Sequence, residues 1–291
     1  MSAKTVPLTL GMVALALSFC SAAASARVTQ LRSVKGVAPV PFVSAAGAYA
    51  FQDGQGSLTY GALSVRAKHR IAAPGAGCRP RAADGQLILI SCEQGSGAYR
   101  APLLLNVATS TIGATPQFTP NAEYIALGSE WIAGIISSNG GQTATFVDWH
   151  SGEQTTRPPG AYDLSTPDLV ARPRPRLPGA TTAAYDAKYV LAISNRTHAL
   201  LLKRRRRGRI TTLSSCRSTC GSVGLAGDVV AWSEGRSVKR YITPSRRRRT
   251  WTFAKAKRAP GILVAPASDG RLLASVPYLD DVVDWRAYAL S

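Results

Sequence analysis

Between Gly227 and Arg236 the chain runs through a polar turn, a short stretch built on Val229, Val230 and Trp232, and a second turn at Ser233-Glu234-Gly235. Gly and Asp supply the backbone angles of a hairpin turn, while Val and Trp fill a pleated, half-buried surface, so the unit reads as one strand cut off on both sides. Five more copies emerge when the strand after each turn is aligned. They start at Tyr49, Leu87, Trp131, Tyr189 and Leu272, after Gly47-Ala48, Asp84-Gly85, Gly128-Ser129, Asp186-Ala187 and Asp269-Gly270. Successive starts lie 38, 44, 58, 40 and 43 residues apart, a mean of about 45. A strand-only period in the forties is the signature of a propeller blade of four short antiparallel strands.

The residues after each copy support the same unit. A second turn comes about six residues on, at Asp53-Gly56, Gln94-Gly97, Ser138-Gly141, Ser194-Arg196, Ser233-Gly235 and Tyr278-Asp281. Third strands then read at Leu58–Val65, Tyr99–Val107, Thr143–Trp149, His198–Lys203, Val238–Ile242 and Val282–Ala289, and fourth strands include Arg209–Leu213 and Thr250–Phe253. Helical periodicity is absent. The sixth copy ends after its third strand, and Arg27–Val34, with Val28 and Leu31 alternating, is available to complete it. Pairing the two ends of the chain removes the sheet edges that would otherwise invite association.

The fold class expected is therefore all-β, a six-bladed β-propeller whose last blade is completed by an N-terminal strand; seven blades or a sandwich are the alternatives. The long interval holds Arg157 to Gly179, with Pro158, Pro159, Pro167, Pro173, Pro175 and Pro178. That density of Pro is incompatible with paired strands. It reads as an extended surface excursion at 157–179 between blades three and four, with Arg172, Arg174 and Arg176 splayed outward.

In repeat shape the chain resembles exported propellers of the TolB-type and WD-repeat-like families. The Trp-Asp ending of the WD repeat is absent; Asp148-Trp149 and Asp284-Trp285 have the reverse order. The resemblance implies a non-enzymatic binding scaffold and carries no site residue.

Residues 1–26 read as a cleaved signal peptide: Lys4, an apolar run from Leu8 to Phe19, and Ala24-Ser25-Ala26 before Arg27. That run is too short to anchor the mature chain, and Phe19 stands where a lipid-attachment signal at Cys20 needs a small residue. The expected mature chain is a single domain over 27–291, secreted or otherwise extracytoplasmic. Its Cys78, Cys92, Cys216 and Cys220 form an even set, read as two disulfides, with local pairing the simplest of three connectivities. Cys78 and Cys92 flank the Asp84-Gly85 turn, and Cys216 and Cys220 would close a very small loop.

Formal charge is +19, and losing Lys4 leaves +18. Two runs carry much of it: Lys203, Arg204, Arg205, Arg206, Arg207 and Arg209, and Arg246, Arg247, Arg248 and Arg249. Both fall between the third and fourth strands of consecutive copies. In a propeller those turns emerge on one face, so the runs should lie side by side and attract polyanions. Arg66, Lys68, His69 and Arg70 occupy the equivalent turn of the first copy, and Lys255, Lys257 and Arg258 fall on the opposite face. The bland alternative is a pair of solvated hairpin tips.

Other constellations are weaker. Asp148, His150, Ser151 and Ser165 lack a strained nucleophile turn and fall where the third strand turns back. Asp280, Asp281 and Asp284 match no complete calcium loop. Recurrence of Tyr49, Trp131, Tyr189 and Trp232 at one place in the repeat argues for packing between blades rather than carbohydrate stacking. No catalytic residue, metal set or cofactor motif is assigned, and no recognition helix or zinc finger supports specific nucleic-acid binding. The expectation is an exported, monomeric binding or scaffold propeller that docks on anionic envelope polymers through an Arg-rich face. An enzyme with its site at the channel mouth, or a platform for envelope proteins, are the alternatives.

Overall fold

A computed structural model describes residues 27–291 apart from 36–38, 53–55, 66, 76, 94–98, 116–117, 139–140, 173, 207, 217–219, 255, 257–260 and 279–283, and the side chains of Lys35 and Asp284. The segment 1–26, expected from sequence to be a signal peptide, thus lies outside the described residues, as do Asp280, Asp281, Arg66, Arg207, Lys255, Lys257 and Arg258. Twenty-four strands are formed among the described residues. β1 (Val28–Lys35) comes first. Blade 1 is β2 (Phe42–Val43), β3 (Ala48–Gln52), β4 (Ser57–Ala62) and β5 (Lys68–Ala72); blade 2 is β6 (Cys78–Asp84), β7 (Leu87–Cys92), β8 (Leu103–Asn106) and β9 (Thr111–Ala114). Blade 3 is β10 (Ala122–Leu127), β11 (Trp131–Ser138), β12 (Gly141–Asp148) and β13 (Gln154–Arg157), and blade 4 is β14 (Ala180–Tyr185), β15 (Tyr189–Ser194), β16 (Leu200–Arg204) and β17 (Thr211–Ser214). Blade 5 holds β18 (Val223–Ala226), β19 (Val229–Glu234), β20 (Ser237–Ile242) and β21 (Arg247–Thr252), and blade 6 opens with β22 (Leu263–Pro266), β23 (Leu272–Tyr278) and β24 (Asp284–Leu290).

The result is six four-stranded antiparallel sheets, and the protein is a six-bladed β-propeller. The repeat starts at Leu87, Trp131, Tyr189, Val229 and Leu272 are the first residues of β7, β11, β15, β19 and β23. The sixth sheet has the order β1-β24-β23-β22, with Val28 opposite Leu290 and Val34 opposite Trp285, so the N-terminal strand supplies the fourth strand of the last blade. Blade 6 meets blade 1 through Ser268, whose amide and hydroxyl both donate to the Ala45 carbonyl at 2.9 and 2.7 Å. One regularity escapes the sequence. The inner strands of blades 2, 3 and 4 each slip register by one residue at the same place, at Arg81, Ile125 and Ala183.

Alternation along each strand gives a sheet two apolar faces, and each face fills a seam with the next blade. Ala50, Leu58 and Tyr60 meet Ile88, Ile90 and Leu105 between blades 1 and 2, and Leu89 meets Tyr124, Ile132 and Val147 between blades 2 and 3. Leu191, Leu200 and Leu213 pack on Val230, Trp232 and Tyr241 between blades 4 and 5. Val229, Val238 and Trp251 face Val264, Leu272 and Val276 across the seam of blades 5 and 6, while Tyr49 and Phe51 face Leu273 and Ala287 across that of blades 6 and 1. Cys78 and Cys92 are direct partners in β6 and β7 and are joined by a disulfide, as are Cys216 and Cys220.

The seam between blades 3 and 4 is built differently. Trp131, Ala144 and Phe146, the outer apolar face of blade 3, are covered by Tyr162, Leu164 and Leu169 of the Pro-rich segment. Trp131 donates its indole N–H to the carbonyls of Thr166 and Pro167 at 3.0 and 3.1 Å. Gly128 is needed where that segment crosses it, since a β-carbon there would be driven into the Leu164 carbonyl. Tyr162 and Ala171 form a single antiparallel bridge, and further on Thr182 of β14 donates to the Pro175 carbonyl. The Arg side chains of this segment do not all splay outward: Arg172 turns back onto the buried Asp163, and Arg174 donates to the Thr182 carbonyl at 2.7 Å. A buried carboxylate and a backbone carbonyl draw those guanidiniums in.

Candidate functional site: a cationic turn face

Turns that join the first to the second strand of a blade emerge on the same side as those that join the third to the fourth, and hydrogen bonds tie the two together. In blade 4, Asp186 caps its own turn by accepting from the amides of Lys188 and Tyr189, both at 2.7 Å. Arg205, just beyond β16, donates its amide to the Lys188 carbonyl and its guanidinium to the Asp186 carbonyl at 3.1 Å. In blade 5 the Thr243 amide donates to the Asp228 carbonyl at 2.9 Å. The blades are then linked across the seam: Lys188 Nζ lies 3.3 Å from Asp228 Oδ2, and the Tyr189 and Thr243 hydroxyls are 2.9 Å apart. Burial alone would raise the Asp228 pKa, but the bonds and charge of Lys188, with Thr243, outweigh it and hold the carboxyl below its ordinary value.

The first basic run divides by position. Lys203 and Arg204 end β16, Lys203 half-buried and Arg204 exposed; Arg205 is half-buried and bonded; Arg206 and Arg209 are exposed. Gly208 has φ 153°, and a side chain there would press on Arg204 Cβ at 3.2 Å, so glycine lets the turn fold back over Arg204. Ala187, Lys188, Arg204 and Arg206 line a concavity of about 550 Å³ between the two turns. Lys188 is the member that the repeat pattern hides: it sits inside a turn whose sequence marks only the start of a copy.

The second run is not a hairpin tip. Only Arg246, at φ 50°, belongs to the turn; Arg247, Arg248 and Arg249 are the start of β21. Alternation sends them to opposite faces. Arg248 lies over the Tyr241 ring at 5.6 Å, while Arg249 lies over Trp251 at 5.8 Å and donates to the Ser291 carbonyl at 2.6 Å. Ring faces attract guanidinium charge, and the long stems cover apolar surface, which is how an Arg-rich segment can serve as an edge strand. Arg240 joins them on the blade 6 side, 5.4 Å from the Trp251 centroid and bonded to the Gly270 carbonyl; burial first, then the charge of Arg249, lowers its pKa. The first-copy cluster is likewise in a strand, β5. Lys68 donates to the Leu31 carbonyl and His69 stacks on Tyr60 at 5.3 Å.

The remaining sequence candidates are committed locally. Asp148 accepts from the amides of His150 and Ser151, His150 Nε2 lies 2.9 Å from the Ser129 carbonyl, and the Ser165 hydroxyl donates to Asp163. Trp232 and Tyr189 pack between blades 4 and 5 and Tyr49 between blades 6 and 1, but Trp131 packs on the Pro-rich segment. On the inner strands, Arg81 pairs with Glu123 at 2.5 Å, and Arg79 lies 3.9 Å from Glu93. Among the described residues no group of three or more His, Cys, Asp or Glu is placed to hold a metal, and no helix is long and apolar enough to cross a membrane.

Fold and face together define a β-propeller with a cationic turn face. No protein-family model matches the chain, and no curated protein does. Among solved structures, a chain of "Crystal Structure of Mitotic Checkpoint Complex" superposes with a TM-score of 0.50 at 10% identity, covering 88% of this chain and 94% of that one. At that identity the likeness concerns the fold alone.

Proposed function

We propose that this protein is an exported, non-enzymatic binding propeller whose turn face docks on anionic polymers of the cell envelope. The observation that carries the reading is the meeting of Lys188, Arg204, Arg206, Arg209 and Arg246 around the turns of two neighbouring blades that Lys188–Asp228 and Tyr189–Thr243 hold together. Cations gathered on neighbouring turns raise the local potential, and turns already tied by backbone hydrogen bonds leave mainly the side chains to be ordered at binding. Two disulfides fit an oxidising compartment, and hence export. A propeller is also a scaffold for protein partners, but the charge on this face favours a polyanion.

Replacing Arg204, Arg206, Arg209 and Arg246 by Ser tests it. Native protein should be retained on heparin and on phosphate-rich envelope fractions at about 50 mM salt and released steeply by about 200 mM, as counterion release requires. The variant should elute at the lowest salt. Equal retention of the two proteins would overturn the reading.

A further inference from the structure

The concavity on blade 4 is more than a charged patch. It is walled by two turns that are pinned before any ligand arrives: Asp186 caps one, Arg205 ties the second to it, and Gly208 folds that second turn over Arg204. Its volume of about 550 Å³ lies within the usual range for small-molecule sites. Among the described residues its lining is Ala187, which adds no bulk, and three cations, Lys188, Arg204 and Arg206. Two guanidinium forks and an ammonium point charge suit phosphoryl oxygens, which accept two parallel bonds from each fork.

From this we infer that the blade 4 concavity is a discrete binding pocket for a ligand carrying two or more phosphoryl groups along one chain. A single phosphate would leave one cation unmatched and most of the space empty. Inorganic polyphosphate and a phosphodiester-linked polyol share the required chemistry. The inference rests on the turn face being where anions dock, and narrows it to one pocket. Asp228 acts as its brake: by holding Lys188 at 3.3 Å it withholds part of the third positive charge.

Titration calorimetry of the full chain with tripolyphosphate, at fixed ionic strength, tests the pocket. One site per chain is expected. R204Q/R206Q should weaken it about tenfold or more, the loss expected when charge-assisted bonds go. R206K, which keeps the charge but loses the fork, should also weaken it, while R196Q/R236Q, in the turns that join the second and third strands at the other end of blades 4 and 5, should change it less than about twofold. Asp228→Asn should tighten it about threefold by freeing Lys188, a gain that damage to the fold would not produce. Equal losses from the two double variants, or no effect of R206K and Asp228→Asn, would overturn the pocket and leave a diffuse cationic face. Heparin retention without tripolyphosphate binding would likewise remove the pocket alone; loss of both would remove the face reading too. Competition between inorganic polyphosphate and poly(glycerol phosphate) for the same site distinguishes the two sources, the tighter competitor naming the ligand.

Discussion

Trp232 concentrates the packing of the seam beneath the basic turns. It is 2% exposed, lies among Leu191, Leu200, Leu213 and Tyr241, and directs its indole N–H at Glu234 from 3.3 Å. Trp232→Ala should cost about 3–5 kcal/mol, the range for emptying a buried aromatic site, read as a lowered urea midpoint. A change under about 1 kcal/mol would mean the seam recloses over the gap. Glu234 gives a second, pH-dependent handle. Burial alone would raise its pKa, but donors from Ser214, Lys239 and Trp232 converge on Oε2 and hold it below the ordinary value. A depressed folded pKa contributes stability above the unfolded value of about 4.3, and that contribution is lost as pH falls through the folded value. The native protein should therefore exceed Glu234→Gln in urea stability at pH 6, with the gap closing below about pH 4. A gap that is constant with pH would assign the loss to geometry instead.

Among the elements, β1 has the largest leverage for its length. It pairs with β24 from Val28–Leu290 to Lys35–Asp284, with a register shift between Gln30 and Arg32, and Leu31 joins the apolar seam against blade 1. Removing residues 27–35 should lower the unfolding temperature and produce concentration-dependent association on gel filtration, because β24 would present a bare edge. A monomeric variant with unchanged unfolding would show that β24 is protected some other way. How far these elements are legible depends on which signals are local. Turn dipeptides flanked by Val, Ile, Leu and Trp locate the second strands to the residue in β7, β15 and β19. The run at Arg246 misleads, because charge density marks a tip only when nothing supports a strand; here Tyr241 on the paired strand and Trp251 two residues along β21 itself do. The Pro-rich segment is legible as unpaired chain but not as the filling of a seam, since its contact with Trp131 depends on which blade face is left uncovered.

For the molecule as a whole, sequence shows where charge is abundant but not where it converges. The turns that follow β16 and β20 are readable as neighbours, because equivalent turns of adjacent repeats must share a face. Lys188 is not, since its meeting with Asp228 spans 40 residues and depends on how two sheets are set against each other. Nor is it readable that Arg248 and Arg249 part to opposite sides of one strand. Among the described cations, Lys188, Arg204 and Arg206 are brought together around one concavity on blade 4.

The pairing of β1 with β24 has a consequence for how such a chain is made. β1 precedes the other described strands in the chain and has its partner in β24, so no chain that stops short of β24 can hold six complete blades. A product cut short before Asp284 loses β24 and orphans β1 together, leaving the sixth blade with half of its strands. The architecture thereby ties completion of the sixth blade to synthesis of β24: a chain stopped short of it leaves β1 and the edge of β23 bare to proteases, and reading through β24 conceals both.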